Sequence, residues 1–143
     1  PKAFPFPKPK VGELNFSFSG FKTAVLYFIQ KEVKENPNFI EENLYDICAS
    51  IQYTIIGILI DKLKKASKQT EIKQIAIGGG VSANSGIRKA LKEGEQRFGW
   101  KTFVPKFEYT TDNAGMIGIV GYYKFLNQDF TDQTITAKAR FAL

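Results

Sequence analysis

Residues 73 to 105, KQIAIGGGVSANSGIRKALKEGEQRFGWKTFVP, constrain the fold more than any other stretch of the chain. Residues 73 to 77 read as a short buried strand and 83 to 98 as a helix. Residues 100 to 105, with Trp100, Phe103 and Val104, read as a second short strand. Two strands joined through a helix pair in parallel, with a right-handed crossover. The expected class is therefore α/β, helix-rich with a short parallel sheet.

Between the first strand and the helix stand Gly78, Gly79 and Gly80. A strand that ends in glycines and runs into a helix leaves backbone N–H groups and the positive helix end facing an open surface. Two readings stay open on the residues alone. The glycines make a tight turn with Ser82 or Asn84 capping the helix, or they let a flat or anionic ligand lie against the backbone. The contiguous triplet lacks the spacing of a dinucleotide fingerprint and the lysine of a P-loop.

Upstream, PKAFPFPKPK holds four prolines in ten residues and has no initiating Met. Residues 1–12 read as a proline-rich surface connector, and the chain as a piece of a longer protein whose partial lobe occupies 13–143. Leu14, Phe16 and Phe18 alternate with polar neighbours, which predicts a short half-buried extended segment. Ser19 or Gly20 then opens a helix that Asn36-Pro37-Asn38 ends. In the following pattern Leu44, Ile47, Cys48, Ile51, Ile55, Ile58, Leu59 and Leu63 share one stripe. Tyr45, Tyr53, Ile56 and Ile60 lie off it, so a central helix packed on more than one side is expected. Glu41 and Glu42 at its start and Lys62, Lys64, Lys65 and Lys68 at its end suit the helix dipole. The lysines read as a solvated terminal turn or as an RNA contact.

With 143 residues, one compact unit is expected. The apolar runs look too interrupted to cross a bilayer, and a lone Cys48 inside an apolar pattern reads as a buried thiol in a cytoplasmic protein. A net charge of +6 favours anionic partners such as RNA. The absence of histidine rules out Ser-His-Asp or Cys-His catalysis and His-based zinc sites built within this chain alone.

A second polar helix start is Thr110-Thr111-Asp112-Asn113, ahead of NAGMIGIVGYYKFLNQ. Asp112 either caps that helix or is a carboxylate held to bind a metal with partners this chain does not supply. Gly115, Gly118 and Gly121 form a smooth ridge, each costing about 1 kcal/mol relative to alanine, so close packing against another backbone is expected. The tail from 129 reads equally as strand or extended chain.

Together FSFSGFKTAV at 16 to 25, IGGGVSANSGIR at 77 to 88 and TDNAGMIG at 111 to 118 resemble, in order and separation, the TsaD family of tRNA N6-adenosine threonylcarbamoyl transfer. The resemblance implies an actin-like ATPase fold of the sugar kinase, Hsp70 and actin superfamily, with this chain as the C-terminal portion of the second lobe. It also implies transfer of the threonylcarbamoyl group from threonylcarbamoyl-AMP to N6 of the adenosine next to the anticodon, in tRNAs reading codons that begin with A. By the same resemblance Asn84 contacts threonylcarbamoyl-AMP or ATP, Gly78, Gly79 and Gly80 let the adenosine approach, and Asp112 is a ligand of iron or zinc. The remaining metal ligands, two histidines, belong to the missing lobe. Expected partners are tRNA, the inactive paralogue of the transferase and the small ATPase of the bacterial system. Many relatives carry Cys at the place of Thr110 and Ala at that of Gly115; neither change removes the carboxylate.

The isolated chain is expected to be inactive, to bind metal weakly and to self-associate through apolar surface normally covered. Alternatives are a non-enzymatic RNA- or protein-binding module, or a paralogous carbamoyltransferase.

Overall fold

The computed structural model describes residues 2–9 and 11–136. Helix α1 (Phe18–Glu35) and helix α2 (Phe39–Thr70) are separated by a junction that Asn36 organises. Its backbone N–H closes α1 on the Glu32 carbonyl (2.8 Å), its Oδ1 accepts from the Asn38 N–H (3.0 Å), and its Nδ2 donates to Glu42 Oε2 (2.8 Å). Pro37 thus stops one helix where the next begins. Strand β1 (Gln74–Ala76), a 3₁₀ turn at Gly80–Ala83, helix α3 (Ser85–Phe98) and strand β2 (Lys101–Phe103) follow, and helix α4 (Ala114–Leu126) is the last regular element among the described residues. Strands β1 and β2 pair in parallel, Ile75 opposite Thr102, as the strand–helix–strand rhythm requires.

At about 1.5 Å per residue, 32-residue α2 is about 48 Å long, and α1, α3 and the small sheet pack along it. One face of α2, through Ile51, Ile55 and Ile58, packs on Phe21, Val25 and Phe28 of α1. The other, through Ile56, Leu59, Ile60 and Leu63, covers a core of Ile75, Ile87, Leu91 and Trp100. The expected two-sided central helix is therefore what forms. Its dipole is matched as expected too, by Glu41 and Glu42 in the first turn and Lys68 in the last.

Several expectations need correction. The proline-rich segment has neither helix nor strand, but it is not merely a surface strap. Phe6 is buried against Phe21 and Phe28, Phe4 packs on Phe28 and Phe39, and the Phe4 N–H donates to Ser50 Oγ (3.1 Å). Prolines at 5 and 7 hold the chain extended, so aromatic residues at 4 and 6 can both reach the core. The extended segment expected at 14 to 18 forms no strand. Phe18 already lies in α1, and the Phe16 and Phe18 rings stack on each other at 5.5 Å in solvent. Cys48 is exposed, as is Leu44, because the buried stripe of α2 runs through Ile47 and Ile58 and turns these neighbours outward. By length and composition α2 could cross a bilayer, with mean hydropathy 1.3 over its most apolar 18 residues, against the expectation that no run qualifies. Its two packed faces use part of that apolar content, and 22% of that 18-residue window is buried. Residues 129–136 form no strand, and the rest of the tail lies outside the described residues.

The glycine ridge of α4 also departs from expectation. No residue of α4 is buried, and a Cβ at Gly118 or Gly121 would meet nothing within 4 Å. Close packing occurs instead at a glycine not singled out from the sequence. A Cβ at Gly94 would sit 2.7 Å from Trp100 Cζ3, and that ring is held by Phe98 (4.9 Å between centroids) and by its Nε1 donating to Ser67 Oγ (3.2 Å). Glu95, one residue on, ties α3 to β2. Its Oε1 accepts from Thr102 Oγ1 (2.5 Å) and the Thr102 N–H (3.2 Å), while Lys92 pairs with Oε2 (2.5 Å).

Overpacking costs about 1–3 kcal/mol, against which alanine regains up to about 1 kcal/mol of helix propensity. Gly94→Ala is therefore expected to lower the urea midpoint of unfolding, while Gly118→Ala, open on its outer side, raises it slightly; equal effects of the two would refute this account of α3. The Lys92 bond, followed by those from Thr102, holds the Glu95 carboxyl at about 2, below its ordinary 4.5. A carboxyl depressed on folding adds stability that is complete above its unfolded value and lost as the pH falls towards the folded one. Wild type should lose stability between about pH 4.5 and about pH 2 more steeply than Glu95→Gln in chemical denaturation followed across that window.

Candidate functional site

Because β1 and β2 are parallel, the segments that follow them leave the same edge of the sheet. Ligands of open α/β sheets gather at that carboxyl edge. From β1 the chain enters the glycine turn. Gly79 has φ +73°, a backbone that side-chain-bearing residues rarely adopt, and a Cβ at Gly78, Gly79 or Gly80 would meet nothing within 4 Å. One glycine is thus required by the turn, and the flanking two leave open space above it. Both readings of the triplet are compatible with this geometry.

The turn is braced from below. The Ser82 N–H (3.0 Å) and Oγ (2.7 Å) both donate to the Gly79 carbonyl, and Ser82 is 1% exposed. Arg88 then links the two segments that leave the sheet: its Nε donates to the Ser82 carbonyl (2.6 Å) and its guanidinium to the Pro105 carbonyl (2.9 Å). Sequence reading gave Arg88 no role. One weak signal was present, a lone arginine in the first turn of a helix, where a cation opposes the dipole and needs another reason to be there.

Asn84 is the N-cap of α3. Its Oδ1 accepts from the Ile87 N–H (3.1 Å) and its Nδ2 donates to Gln52 Oε1 of α2 (3.2 Å). Of the two cap candidates, Asn84 is the one used, which fixes the amide orientation and leaves one Nδ2 hydrogen uncommitted to these bonds. Gly86, also unremarked in the sequence, makes this approach possible, since a Cβ there would lie 2.6 Å from Ile56 Cδ1 and 3.3 Å from Gln52 Nε2. Beside Gly78, an apolar cleft of about 260 Å³ opens between α2 and α3, lined by Ile60, Leu63, Ile77 and Val81 with Phe16 at its rim.

Asp112 lies at the other segment. A short 3₁₀ turn (Phe107–Tyr109) leads to Thr110, 1% exposed, whose Oγ1 donates to the Phe107 carbonyl (2.8 Å). Capping of α4 falls to Asn113, whose Oδ1 accepts from the Met116 N–H (3.3 Å), so the cap expected of Asp112 is made by its neighbour. Asp112 is exposed, and among the described residues no hydrogen bond joins it to Asn84 or the glycine turn. Nor, among those residues, do three His, Cys, Asp or Glu side chains gather as a metal would need. A single carboxylate suits a hard divalent ion as one ligand and does not hold one alone.

Known proteins similar to this chain show its family. A family model described as TsaD, tRNA N6-adenosine threonylcarbamoyltransferase, matches residues 1–119. A protein of Christiangramia forsetii with that name is 74% identical over 99% of the chain and 42% of its own length. Its namesake in Riemerella anatipestifer is 55% identical over 100% of the chain and 42% of its own length, and that of Phocaeicola vulgatus 51% identical over 91% and 38%. The chain therefore spans about two fifths of the relatives it matches. With the glycine turn, Asn84 and Asp112 all inside the matched region, the chain belongs to the tRNA N6-adenosine threonylcarbamoyltransferase family.

Proposed function

We propose that this chain is the C-terminal part of the second lobe of an actin-like enzyme. That enzyme transfers a threonylcarbamoyl group from threonylcarbamoyl-AMP to N6 of the adenosine next to the anticodon, in tRNAs reading codons that begin with A. The observation that carries the reading is 74% identity over nearly the whole chain to a protein bearing that name. Residues 1–12 link to the preceding part of the enzyme, with Phe4 and Phe6 packed into the partial lobe assigned to 13–143. The setting is the cytoplasm, with the inactive paralogue and the small ATPase of the bacterial system as partners.

In this reading the glycine turn supports the adenosine of threonylcarbamoyl-AMP or ATP. Open space at Gly78 and Gly80 admits a flat group to the backbone, and the apolar cleft beside Gly78 offers a surface for its hydrophobic face. Asn84, fixed by its cap and by Gln52, presents its remaining amide hydrogen to the nucleotide; Arg88 keeps the turn in register with the segment that carries Asp112. Asp112 contributes one carboxylate to an iron or zinc ion whose other ligands lie outside this chain. Such an ion, when bound, would polarise the carbamoyl group towards attack by the adenine amine.

Depleting the full-length parent in its source cell should lower threonylcarbamoyl-adenosine in bulk tRNA, measured by mass spectrometry. Wild type should restore it, and Asp112→Ala should restore about a tenth or less, since even residues that only orient metal ligands cost tenfold or more. An unchanged level on depletion would overturn the reading in favour of a binding module or paralogue. The isolated chain should bind zinc or iron weakly in equilibrium dialysis, show no transfer and self-associate on sedimentation. A tight one-to-one metal complex, or a clean monomer at high concentration, would contradict that account of the missing ligands and missing cover.

A further inference from the structure

At the opposite edge of the sheet from the glycine turn, cations from three elements converge on an aromatic floor. Lys64 and Lys68 come from α2, Lys73 from the segment entering β1, and Arg97 from the end of α3. A groove of about 280 Å³ is lined by Lys64, Ser67, Lys68, Lys73, Phe98 and Trp100, with no carboxylate among them. Lys64 Nζ lies 4.8 Å from the Phe98 ring centroid and the Arg97 guanidinium 5.5 Å from it. Lys64 and Arg97 also line the neighbouring groove, together with Asp61 and Glu93, of which Asp61 is paired with Lys8 (2.5 Å). Among the described residues Lys64, Lys68, Lys73 and Arg97 form no ion pair, whereas Lys8, Lys92, Lys106 and Lys124 do.

The helix dipole explains a lysine in the last turn of α2 and an arginine in the last turn of α3. It does not explain Lys73, which belongs to no helix, nor why the ends of two helices and a strand put unneutralised cations around one groove. Cations spread around one groove with no carboxylate in its lining suit a polyanion, and spaced phosphates match spaced cations better than a single small anion does. From Lys73 to Gly78 the chain advances five residues, about 17 Å at strand rise, so the groove is distinct from the glycine turn yet within reach of one folded RNA.

We propose that Lys64, Lys68, Lys73 and Arg97 dock the phosphate backbone of the tRNA substrate, at a surface remote from the reacting adenosine. This rests on the transferase reading above. The contact is independent of base sequence, because lysine reads phosphate charge alone, and the half-buried Phe98 ring orients two of the cations through its face.

The test is binding of an unmodified tRNA transcript to the full-length parent across a salt series. Each Lys→Ala change at 64, 68 or 73 should reduce the slope of log affinity against log salt by about 1, and the triple variant by about 3, with about tenfold or greater loss near physiological salt. Triple Lys→Arg should keep the wild-type slope, and Lys22→Ala/Lys31→Ala/Lys34→Ala on the exposed face of α1 should leave it unchanged. Each single variant alters one exposed side chain, so the slope can be read even if the triple variant misfolds. Slopes and affinities equal to wild type in these variants, with wild type binding and modifying tRNA, overturn the docking surface and leave the transferase reading standing. If those variants bind tRNA normally but lose an acidic protein partner, the surface is a protein contact and the proposal also fails. Wild-type parent that neither binds nor modifies tRNA would overturn both.

Discussion

Everything in this structure hangs on α2 having two apolar faces. A helix with one apolar stripe can cover one layer, and the small sheet of β1 and β2 with α3 would then have no connection to α1 and the aromatic N-terminal segment. Because Ile51, Ile55 and Ile58 face one way and Ile56, Leu59 and Leu63 the other, α2 serves two small cores at once. Neither core is large. Their common wall is what makes them one body, and the small polar residues Ser50 and Thr54 let the N-terminal segment approach that wall. Ser50 Oγ accepts from the Phe4 N–H and the Ser50 carbonyl accepts from Thr54 Oγ1, so no buried polar side-chain atom in the described residues is left without a partner.

The site inherits its precision from that wall. Asn84 is held by α3 through its cap and by α2 through Gln52, and the absence of a side chain at position 86 leaves room for the Ile56 and Gln52 side chains between the two helices. A residue that both ends a loop and grips a neighbouring helix has little rotational freedom left. Under the proposed reading that restraint is the preorganisation a nucleotide-contacting amide needs, so capping and contact do not compete at Asn84. Arg88 does the same between backbone segments. By donating to the carbonyls of Ser82 and Pro105 it couples the glycine turn to the segment leading to Asp112, using rigid backbone atoms in place of flexible side chains.

Periodicity made the regular elements legible. The strand–helix–strand unit and the double-faced helix follow from apolar spacing, which local sterics enforce wherever a core exists. What it could not show was partnership. Leu14, Phe16 and Phe18 alternate as a strand does, but a strand needs an edge to pair with, and in this structure α1 begins within the pattern. The ridge of Gly115, Gly118 and Gly121 was read as a packing surface, and nothing in these residues packs on it. Gly86 and Gly94, which do meet neighbours, looked like ordinary helix interiors because their reason lies across space, in Ile56 and Trp100. Phe4 and Phe6 were hidden by the prolines around them, whose presence suggested solvent.

On α4 the glycines and the exposed apolar side chains belong together. Each glycine on α4 gives up about 1 kcal/mol of helix propensity, and a helix that also exposes Ile117, Val120 and Phe125 gains no burial to offset it. Under the proposed reading, the length that the relatives have beyond this chain supplies the contacts that α4 lacks. In that reading the sequence records the packing of the whole enzyme, and residues left without partners in this part are those that face the remainder. The glycine ridge and the apolar face of α4 belong to that category. So does Asp112, an exposed carboxylate relieved of its capping duty by Asn113, which makes sense as a ligand only when other side chains are brought to it.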